Sequence, residues 1–259
     1  MKTIERTHII PLGFERDVAV KPIRELGGSR AILITIGGEV EEKYELSEEQ
    51  RHFEKVVEED LEKLGLEVKI EHADLFDFNE AVRAIASAVV REKEEGREVY
   101  INLSSHGRLI SIISALVGWY HDVAMYYVLA DRYARDEEEF KQRGRSVCEK
   151  PVILRVPQVD VVRLSEEERF ALSEILSGTT KLDELVKKFC ERFPLIYECK
   201  LDERGGWDRK NKQEVLTKLN RRVLLKLESK GFIRREKTGR NVFLNLTDRG
   251  EIFALLEGG

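Results

Sequence analysis

The chain has 259 residues, of which 42% are hydrophobic and 36% are charged, and its formal net charge is −5 at pH 7. This length and apolar content predict two domains with their own cores, and one large domain is the alternative. No apolar run approaches 18 residues without a charge, and the first residues contain no apolar signal region, so we expect neither a membrane span nor a signal peptide. The odd number of cysteines (Cys148, Cys190, Cys199) predicts no disulfide framework, no zinc site and a reducing cytoplasm.

The charge is unevenly distributed along the chain. Residues 1–157 carry a net charge of −8, whereas residues 158–259 carry +3, and the segment 204–249 alone holds 14 basic and 5 acidic residues. A basic segment tethered to an acidic domain is typical of a module that binds a polyanion such as double-stranded DNA. The alternative is a solvated charged surface that has no partner.

In the first part of the chain, short apolar runs alternate with segments of helical periodicity. The runs are 7–12, 31–36, 66–70, 98–103 and 123–128, and the helical segments are 47–64, 78–95 and 109–120. Strands that alternate with helices predict a Rossmann-like α/β domain whose parallel sheet is covered on both faces. We place this domain at 1–134 and a charged connector with a short strand at 135–160.

Two predicted strands end in loops whose residues suit an anion. The loops contain Gly13, Phe14 and Glu15 after the first strand, and Ser104, Ser105, His106, Gly107 and Arg108 after the fourth. Parallel sheets bind ligands at the carboxyl ends of their strands, so these eight residues are the candidate ligand site. Free N–H groups at a helix start and the charge of Arg108 suit a phosphate. The alternative is that Ser104 or Ser105 only caps the helix and Arg108 is solvated.

Cofactor and metal motifs are missing from the sequence. There is neither a GxGxxG fingerprint nor a Walker A loop, so no dinucleotide or NTP cofactor is predicted. His8, His52, His72 and His121 show no HxH or HExxH spacing, so no metal site is predicted either. His106 has no histidine or carboxylate nearby in sequence to orient it, which favours a polar contact to a phosphate or base over general acid-base catalysis.

From Leu164 the pattern changes, and we place a second domain at 161–259. It contains helical segments at 165–178, 180–189 and 208–231, an insert at 191–206, a hairpin at 231–247 and a last helix at 248–256. This order is typical of a winged helix-turn-helix, whose third helix enters the major groove and whose wing touches phosphate or the minor groove. The alternative is a winged domain that serves only dimerisation or protein contact.

The predicted third helix has an apolar stripe and a basic opposite face. The predicted DNA contacts are Arg209, Lys210, Asn211, Lys212, Gln213, Thr217, Arg221 and Arg222 in the helix, and Arg234, Arg235, Lys237 and Arg240 in the wing. Most of these side chains suit phosphate, whereas Asn211, Gln213 and Thr217 suit base edges. Replacing Arg221 and Arg222 together is expected to lower the salt slope of DNA binding by about two units.

On these motifs the chain resembles archaeal transcriptional regulators that join a CARF domain (CRISPR-associated Rossmann fold) to a winged helix. Residues 7–15 resemble the family's opening strand and first loop, residues 102–109 its second loop, and residues 126–128 with 132–133 the strand end that follows. The resemblance implies a homodimer formed through the Rossmann domains. It also implies a pocket across the two-fold axis for a cyclic oligoadenylate or another nucleotide second messenger. Related members have a glycine where His106 stands and a small polar residue where Gly107 stands.

The leading hypothesis is a cytoplasmic, ligand-responsive DNA-binding regulator linked to CRISPR-Cas defence. In it, ligand binding resets the angle between the two winged domains of the dimer. It assigns no catalytic residue, no metal and no cofactor besides the nucleotide effector. Two alternatives stay open: a ring nuclease that uses His106 or Arg108 to align a ribose on its own phosphodiester, and a protein-interaction module with a vestigial pocket.

Overall fold

The structure is a computed structural model that describes residues 5–37, 40, 47–159, 161–200, 208–239 and 241–258, without the side chains of Ser47 and Arg209. The chain divides into two compact units at residues 1–162 and 163–257. The predicted fold class, an α/β domain followed by a winged helix, is confirmed. Within the segments described, no helix is both long and apolar enough to cross a membrane.

The first unit is built on a six-stranded sheet. In chain order its elements are β1 (Arg6–Pro11), α1 (Asp17–Val20), α2 (Ile23–Leu26), β2 (Arg30–Thr35), α3 (Ser47–Lys63), β3 (Glu67–His72), α4 (Phe78–Glu94), β4 (Glu98–Asn102), α5 (Arg108–His121), β5 (Ala124–Leu129), β6 (Arg132–Tyr133), α6 (Glu137–Arg143), β7 (Ser146–Val147) and β8 (Val152–Val156). The strand order is β3-β2-β1-β4-β5-β8, and only the edge strand β8 is antiparallel to its neighbour. The sheet therefore has the parallel centre that the sequence predicts.

The apolar strands are buried because the sheet has two covered faces. Ile10 and Leu33 pack with Val57 of α3 on one face. Successive strand side chains point to opposite faces, so Ile9 and Ile32 face the other layer, and both are fully buried. Because both faces of the sheet are buried, the strands are near-continuous apolar runs and do not alternate between apolar and polar residues.

The connector predicted at 135–160 belongs instead to the first unit, which corrects the predicted boundary. Its β8 pairs with β5 as the sixth strand, and β7 pairs with β6. The backbone N–H of Arg145 donates to the carbonyl of Phe14 at 2.8 Å, which attaches this segment to the loop after β1. The two-residue strands and the acidic first turn of α6 carry too few apolar residues to show a period, so the sequence pattern could not indicate this folding.

The second unit has the element order of a winged helix. It contains α7 (Glu166–Leu176), α8 (Leu182–Arg192), α9 (Pro194–Tyr197), α10 (Arg209–Leu219), a π-helical turn (Asn220–Leu224), α11 (Leu225–Ser229), β9 (Ile233–Thr238), β10 (Asn241–Leu246) and α12 (Asp248–Leu256). The strands β9 and β10 form the antiparallel hairpin of the wing. Lys181, just before α8, adds a bridge to Phe243, so the wing is tied to the helices.

The helix predicted at 208–231 is interrupted by the π-helical turn. Val215, Leu219, Val223 and Leu227 are all buried and recur at every fourth residue. In an ideal α-helix each such step drifts by about 40° around the axis. The wider π turn counteracts this drift, so that the whole stripe faces the core.

A disulfide joins Cys190, near the end of α8, to Cys199, just after α9. The expectation that the chain has no disulfide framework is therefore wrong for this pair, although Cys148 is a free, buried thiol. The short helix α9 turns the chain back on itself, and this turn was not predictable from the cysteine spacing. The bridge encloses the first part of the insert, whose Phe193 and Tyr197 are buried in the core of the second unit.

Candidate ligand cavity and DNA-facing groove

A cavity of about 650 Å³ opens at the carboxyl ends of β1, β2 and β4. Seven of the eight predicted ligand residues line it, namely Gly13, Phe14, Glu15, Ser104, His106, Gly107 and Arg108. The structure adds Ile36, Gln50, Phe76, Leu103, Ser111, Tyr127, Tyr133, Arg145 and Ser146 to the wall. The two predicted loops thus meet as the topology of a parallel sheet requires.

Ser105 does not face the cavity, and its predicted ligand contact is wrong. Its side chain is fully buried, and its hydroxyl donates to the carbonyl of Pro11 at 2.8 Å. Its own carbonyl accepts the N–H of Gly13 at 2.8 Å. Ser105 therefore joins the loop after β4 to the loop after β1 and sets the width of the cavity between them.

His106 forms one wall at close range to Gly13. A Cβ atom at Gly13 would lie 3.2 Å from Cδ2 of His106, so glycine allows this approach. Nδ1 of His106 accepts the N–H of Gly107 at 2.7 Å. Burial lowers the pKa of His106 to about 4, so the ring is neutral near pH 7 and Nε2 carries the proton. This arrangement suits a hydrogen-bond donor to a phosphate or base better than a general base.

Glu15 holds the segment that follows α6 through two hydrogen bonds. Its Oε1 accepts the hydroxyl of Ser146 and its Oε2 accepts the N–H of Ser146, both at 2.8 Å. Burial raises the pKa of Glu15 to about 7, although both hydrogen bonds from Ser146 act to lower it. Because its two oxygens are already engaged, Glu15 serves chiefly to hold the neighbouring residue Arg145 beside the cavity.

Two arginines in the wall have free guanidinium groups. Arg108 begins α5, and Arg145 follows α6. Both are exposed, and neither side chain makes a hydrogen bond or ion pair within the part of the chain that the structure describes. Two guanidinium groups beside the N-terminus of α5 suit a ligand that carries more than one phosphate. Arg145 was not predicted from the sequence. It lies in the segment predicted as a connector, and only the fold places this segment next to the loop after β1.

Aromatic side chains surround the mouth of this cavity. Phe76, Tyr127 and Tyr133 line it and are between 42% and 71% exposed. The ring of Phe76 lies edge-on to the ring of His106, with 6.5 Å between the centroids. Exposed rings beside free arginines suit a ligand with both flat bases and phosphates, because bases stack on aromatic side chains.

The second unit has a shallow groove of about 440 Å³ along α10 and the π-helical turn. It is lined by Gln213, Glu214, Thr217, Lys218, Arg221 and Arg222. Four of the predicted DNA contacts, Gln213, Thr217, Arg221 and Arg222, lie in it. In a winged helix this helix is the one that enters the major groove.

Asn211 is buried inside the second unit and cannot read a base, which corrects its predicted role. Its Oδ1 accepts the N–H of Lys200 at 2.7 Å, and its Nδ2 donates to the carbonyl of Glu198 at 3.1 Å. These two bonds lie on either side of Cys199. Asn211 therefore attaches the start of α10 to the disulfide-bridged insert.

Two predicted cationic contacts are also occupied within the unit. Arg222 donates to Glu167 with two nitrogens, at 3.0 and 2.7 Å. Arg235 donates to Oδ1 of Asn220 at 2.6 Å and pairs with Glu228 at 3.0 Å. The amphipathic pattern places these arginines correctly on the polar side, but it cannot reveal acidic partners on other elements.

The remaining predicted DNA contacts divide into three groups. Lys210, Arg221, Arg234 and Lys237 are exposed and have no hydrogen-bonding or ionic side-chain partner among the described residues. Lys212 pairs with Asp183 at 3.0 Å on the surface. Arg240 and the side chain of Arg209 lie outside the described residues.

Two family models match the chain. The one described as HFX_2341_N-like, N-terminal matches residues 6–133, and the one described as DUF6293 C-terminal winged helix domain matches residues 162–258. With the fold, they define a Rossmann-like domain followed by a winged-helix domain. The chain therefore contains both of these domains, and its resemblance to regulators that join a CARF domain to a winged helix is confirmed.

Three solved structures are similar to the chain at low identity. Csm6 of Enterococcus italicus bound to cyclic hexa-2'-fluoro-hexa-dAMP is 14% identical with a TM-score of 0.41, covering 88% of this chain and 56% of that one. Protein VC1899 from Vibrio cholerae is 11% identical with a TM-score of 0.41, covering 98% and 66%. Can2 from Sulfobacillus thermosulfidooxidans in complex with cyclic tetra-adenylate is 9% identical with a TM-score of 0.38, covering 98% and 64%. The chain thus spans 56 to 66% of the length of these proteins. No curated protein matches it.

Proposed function

We propose that the protein is a transcriptional regulator that binds double-stranded DNA through α10 and the wing and responds to a nucleotide second messenger in the cavity of the first unit. The observation that carries this proposal is the composition of that cavity. It combines two free guanidinium groups, Arg108 and Arg145, with exposed aromatic rings at the ligand-binding edge of a parallel sheet.

The effector that fits best is a cyclic oligoadenylate. Such a ring repeats a phosphate and a flat base, which match the arginines and the aromatic side chains respectively. The volume of about 650 Å³ lies in the usual range for one small-ligand pocket. A ring of four or six nucleotides needs more room than this, which a second copy of the cavity across a two-fold axis supplies.

A homodimer would create that doubled cavity. Next to Arg108, the helix α5 exposes Leu109 and Ile112, and the side chain of Ile112 is 64% exposed. Apolar side chains beside a ligand cavity are typical of an interaction surface. We therefore place the dimer interface on the first turns of α5, and sedimentation equilibrium tests the dimer.

The DNA-binding half of the proposal has separate support. The groove on α10 presents polar side chains, and the wing presents Arg234 and Lys237 without described side-chain partners. Reading side chains on a helix and cations on a wing are the two kinds of contact that a winged helix makes with duplex DNA.

The setting follows from the family resemblance and is equally a proposal: an archaeal, cytoplasmic protein linked to CRISPR-Cas defence. The disulfide between Cys190 and Cys199 is compatible with this setting, because intracellular proteins of hyperthermophilic archaea are rich in disulfides.

Differential scanning fluorimetry tests the ligand half of the proposal directly. The full chain is heated with cyclic tri-, tetra- and hexa-adenylate, with ATP and linear oligoadenylate as controls. A ring held at 100 times its Kd adds about 2.7 kcal/mol to the stability of the first unit, which raises its Tm measurably. A shift with one ring size supports the sensor, and no shift with any ring contradicts it.

A further inference from the structure

The groove on α10 carries one side chain that a phosphate-binding surface does not need, the carboxylate of Glu214. Of the six residues that line the groove, Lys218 donates to the carbonyl of Ile196 and Arg222 is held by Glu167. Two of its three cations therefore have partners within the unit, and Arg221 is the one cation of the groove without a partner among the described residues. The groove consequently presents fewer unengaged cations than its sequence indicates.

Glu214 is exposed and makes no hydrogen bond or ion pair with any side chain that the structure describes. It is separated by three and seven residues from Thr217 and Arg221, so the three share one face of the helix. The hydroxyl of Thr217 donates to the carbonyl of Gln213 at 2.8 Å, so its proton is engaged, and the methyl group is what this exposed side chain can offer to an apolar contact. The free groups of the groove are thus an amide, a carboxylate, a methyl and a guanidinium.

A carboxylate on this face has only one class of attractive partner in duplex DNA. Phosphate oxygens repel it, and so do the acceptor atoms N7 and O6 of guanine and O4 of thymine. The exocyclic amino group of cytosine at the major-groove edge is a donor, and glutamate accepts from it. Adenine also carries an amino group, but its neighbouring N7 acceptor suits an amide such as that of Gln213.

We propose that Glu214 is a specificity-determining residue that selects a cytosine in the DNA site. This inference rests on the proposed DNA binding and adds to it one base at one position. The same carboxylate weakens binding to other sequences, because a position without cytosine leaves it facing acceptors or phosphate. Glu214 thus acts by discrimination between sites rather than by adding affinity for all DNA.

The test is selection from a pool of random duplexes with the full-length protein and three variants. The wild type enriches a motif that contains an invariant cytosine. Glu214→Ala enriches the same flanking bases without a preference at that position, and Glu214→Gln changes the preference to adenine. Glu191→Gln, which removes an exposed carboxylate of α8 outside the groove, enriches the wild-type motif.

Binding constants on the selected site make the result quantitative. Replacing the cytosine in the site lowers the DNA affinity of the wild type by about 5- to 150-fold. The same replacement leaves the DNA affinity of Glu214→Ala nearly unchanged. If Glu214→Ala keeps the cytosine preference while still binding DNA, the inference about Glu214 is overturned, but the proposed DNA-binding function is not. If the wild type enriches no motif, the proposed DNA recognition fails, and the inference fails with it. Circular dichroism melts confirm that each variant is folded.

Discussion

At the scale of single residues, Arg145 is the side chain that most distinguishes this cavity from the site predicted by the loops alone. Its backbone N–H donates to the carbonyl of Phe14, and Glu15 accepts two hydrogen bonds from the next residue, so the backbone of Arg145 is held beside the cavity. A guanidinium that extends from a held backbone and has no hydrogen-bond partner of its own among the described residues is suited to bind an anion.

Replacing Arg145 with alanine is expected to weaken binding of the cyclic adenylate ring about tenfold to a hundredfold, because one charge-assisted contact is lost. Arg108→Ala should have an effect of the same size. The Kd from titration calorimetry measures this. Arg24→Ala removes an exposed arginine of α2, at the other end of the sheet, and should bind as the wild type does. If Arg145→Ala binds the ring as tightly as the wild type does, Arg145 is not part of the ligand site.

Glu15 makes the stability of the first unit depend on pH. Its pKa of about 7 in the fold lies above its ordinary value of 4.5, so the folded chain holds this proton more tightly than the unfolded chain. Its contribution to stability is complete below about pH 4.5 and is lost as the pH rises through 7. The stability of the wild type relative to Glu15→Gln should fall by up to about 3 kcal/mol between pH 4.5 and 8. Urea unfolding at both pH values measures this, and parallel pH profiles of the two proteins would contradict it.

Arg221 and Arg222 are adjacent but should behave differently. Arg221→Ala is expected to lower the salt slope of DNA binding by about one unit, because one phosphate contact is lost. Arg222→Ala should leave the slope unchanged and cost about 1 kcal/mol of stability, since its partner Glu167 lies inside the unit and solvent screens the exposed arginine. The double variant then lowers the slope by about one unit instead of two. A drop of two units would show that Arg222 leaves Glu167 to bind DNA.

Residues whose role follows from chain position were predictable, and those whose role follows from a distant partner were not. Gly13, His106 and Arg108 lie at strand ends, which a parallel sheet brings together whatever the side chains do. Ser105 and Asn211 fit the expected polar pattern, but each is buried by a hydrogen bond to a separate segment. The periodicity of a sequence does not indicate a hydrogen bond to a distant segment.

Among the elements, the disulfide-bridged insert connects two helices of the second unit. Replacing Cys190 and Cys199 with serine should lower the free energy of unfolding of this unit by about 2 to 3 kcal/mol, because a short loop is no longer closed in the unfolded chain. Guanidinium unfolding measures the loss. A reductant should produce the same loss in the wild type and none in the double variant, and equal stability of all samples would mean that the bridge is not formed.

The same distinction holds for the elements themselves. Long periodic helices such as α4 and the apolar central strands were predictable, because burial imposes a period on them. The strand β8 and the helix α6 were assigned to a connector, since short charged segments obtain their structure from neighbours. The π-helical turn was also not predictable, because four-residue spacing of leucine and valine fits an ordinary helix until the drift of the stripe is considered.

For the molecule as a whole, the proposed function requires the two units to be coupled. A ligand in the first unit can change DNA affinity only if it binds two arrangements of the protein with different affinity. Coupling between sites is reciprocal, so DNA must change the affinity for the ring by the same factor. Typical coupling of 1 to 3 kcal/mol corresponds to about 5- to 150-fold.

The most direct measurement is the fluorescence anisotropy of a labelled duplex that carries the selected motif, titrated with the protein at fixed salt. The titration is repeated with and without the ring that raises the Tm. We expect the ring to change the Kd for DNA by at least about fivefold. The double variant Arg108→Ala with Arg145→Ala should abolish this change while it binds DNA without the ring as the wild type does. An identical Kd with and without saturating ring would show that the cavity does not control the winged helix.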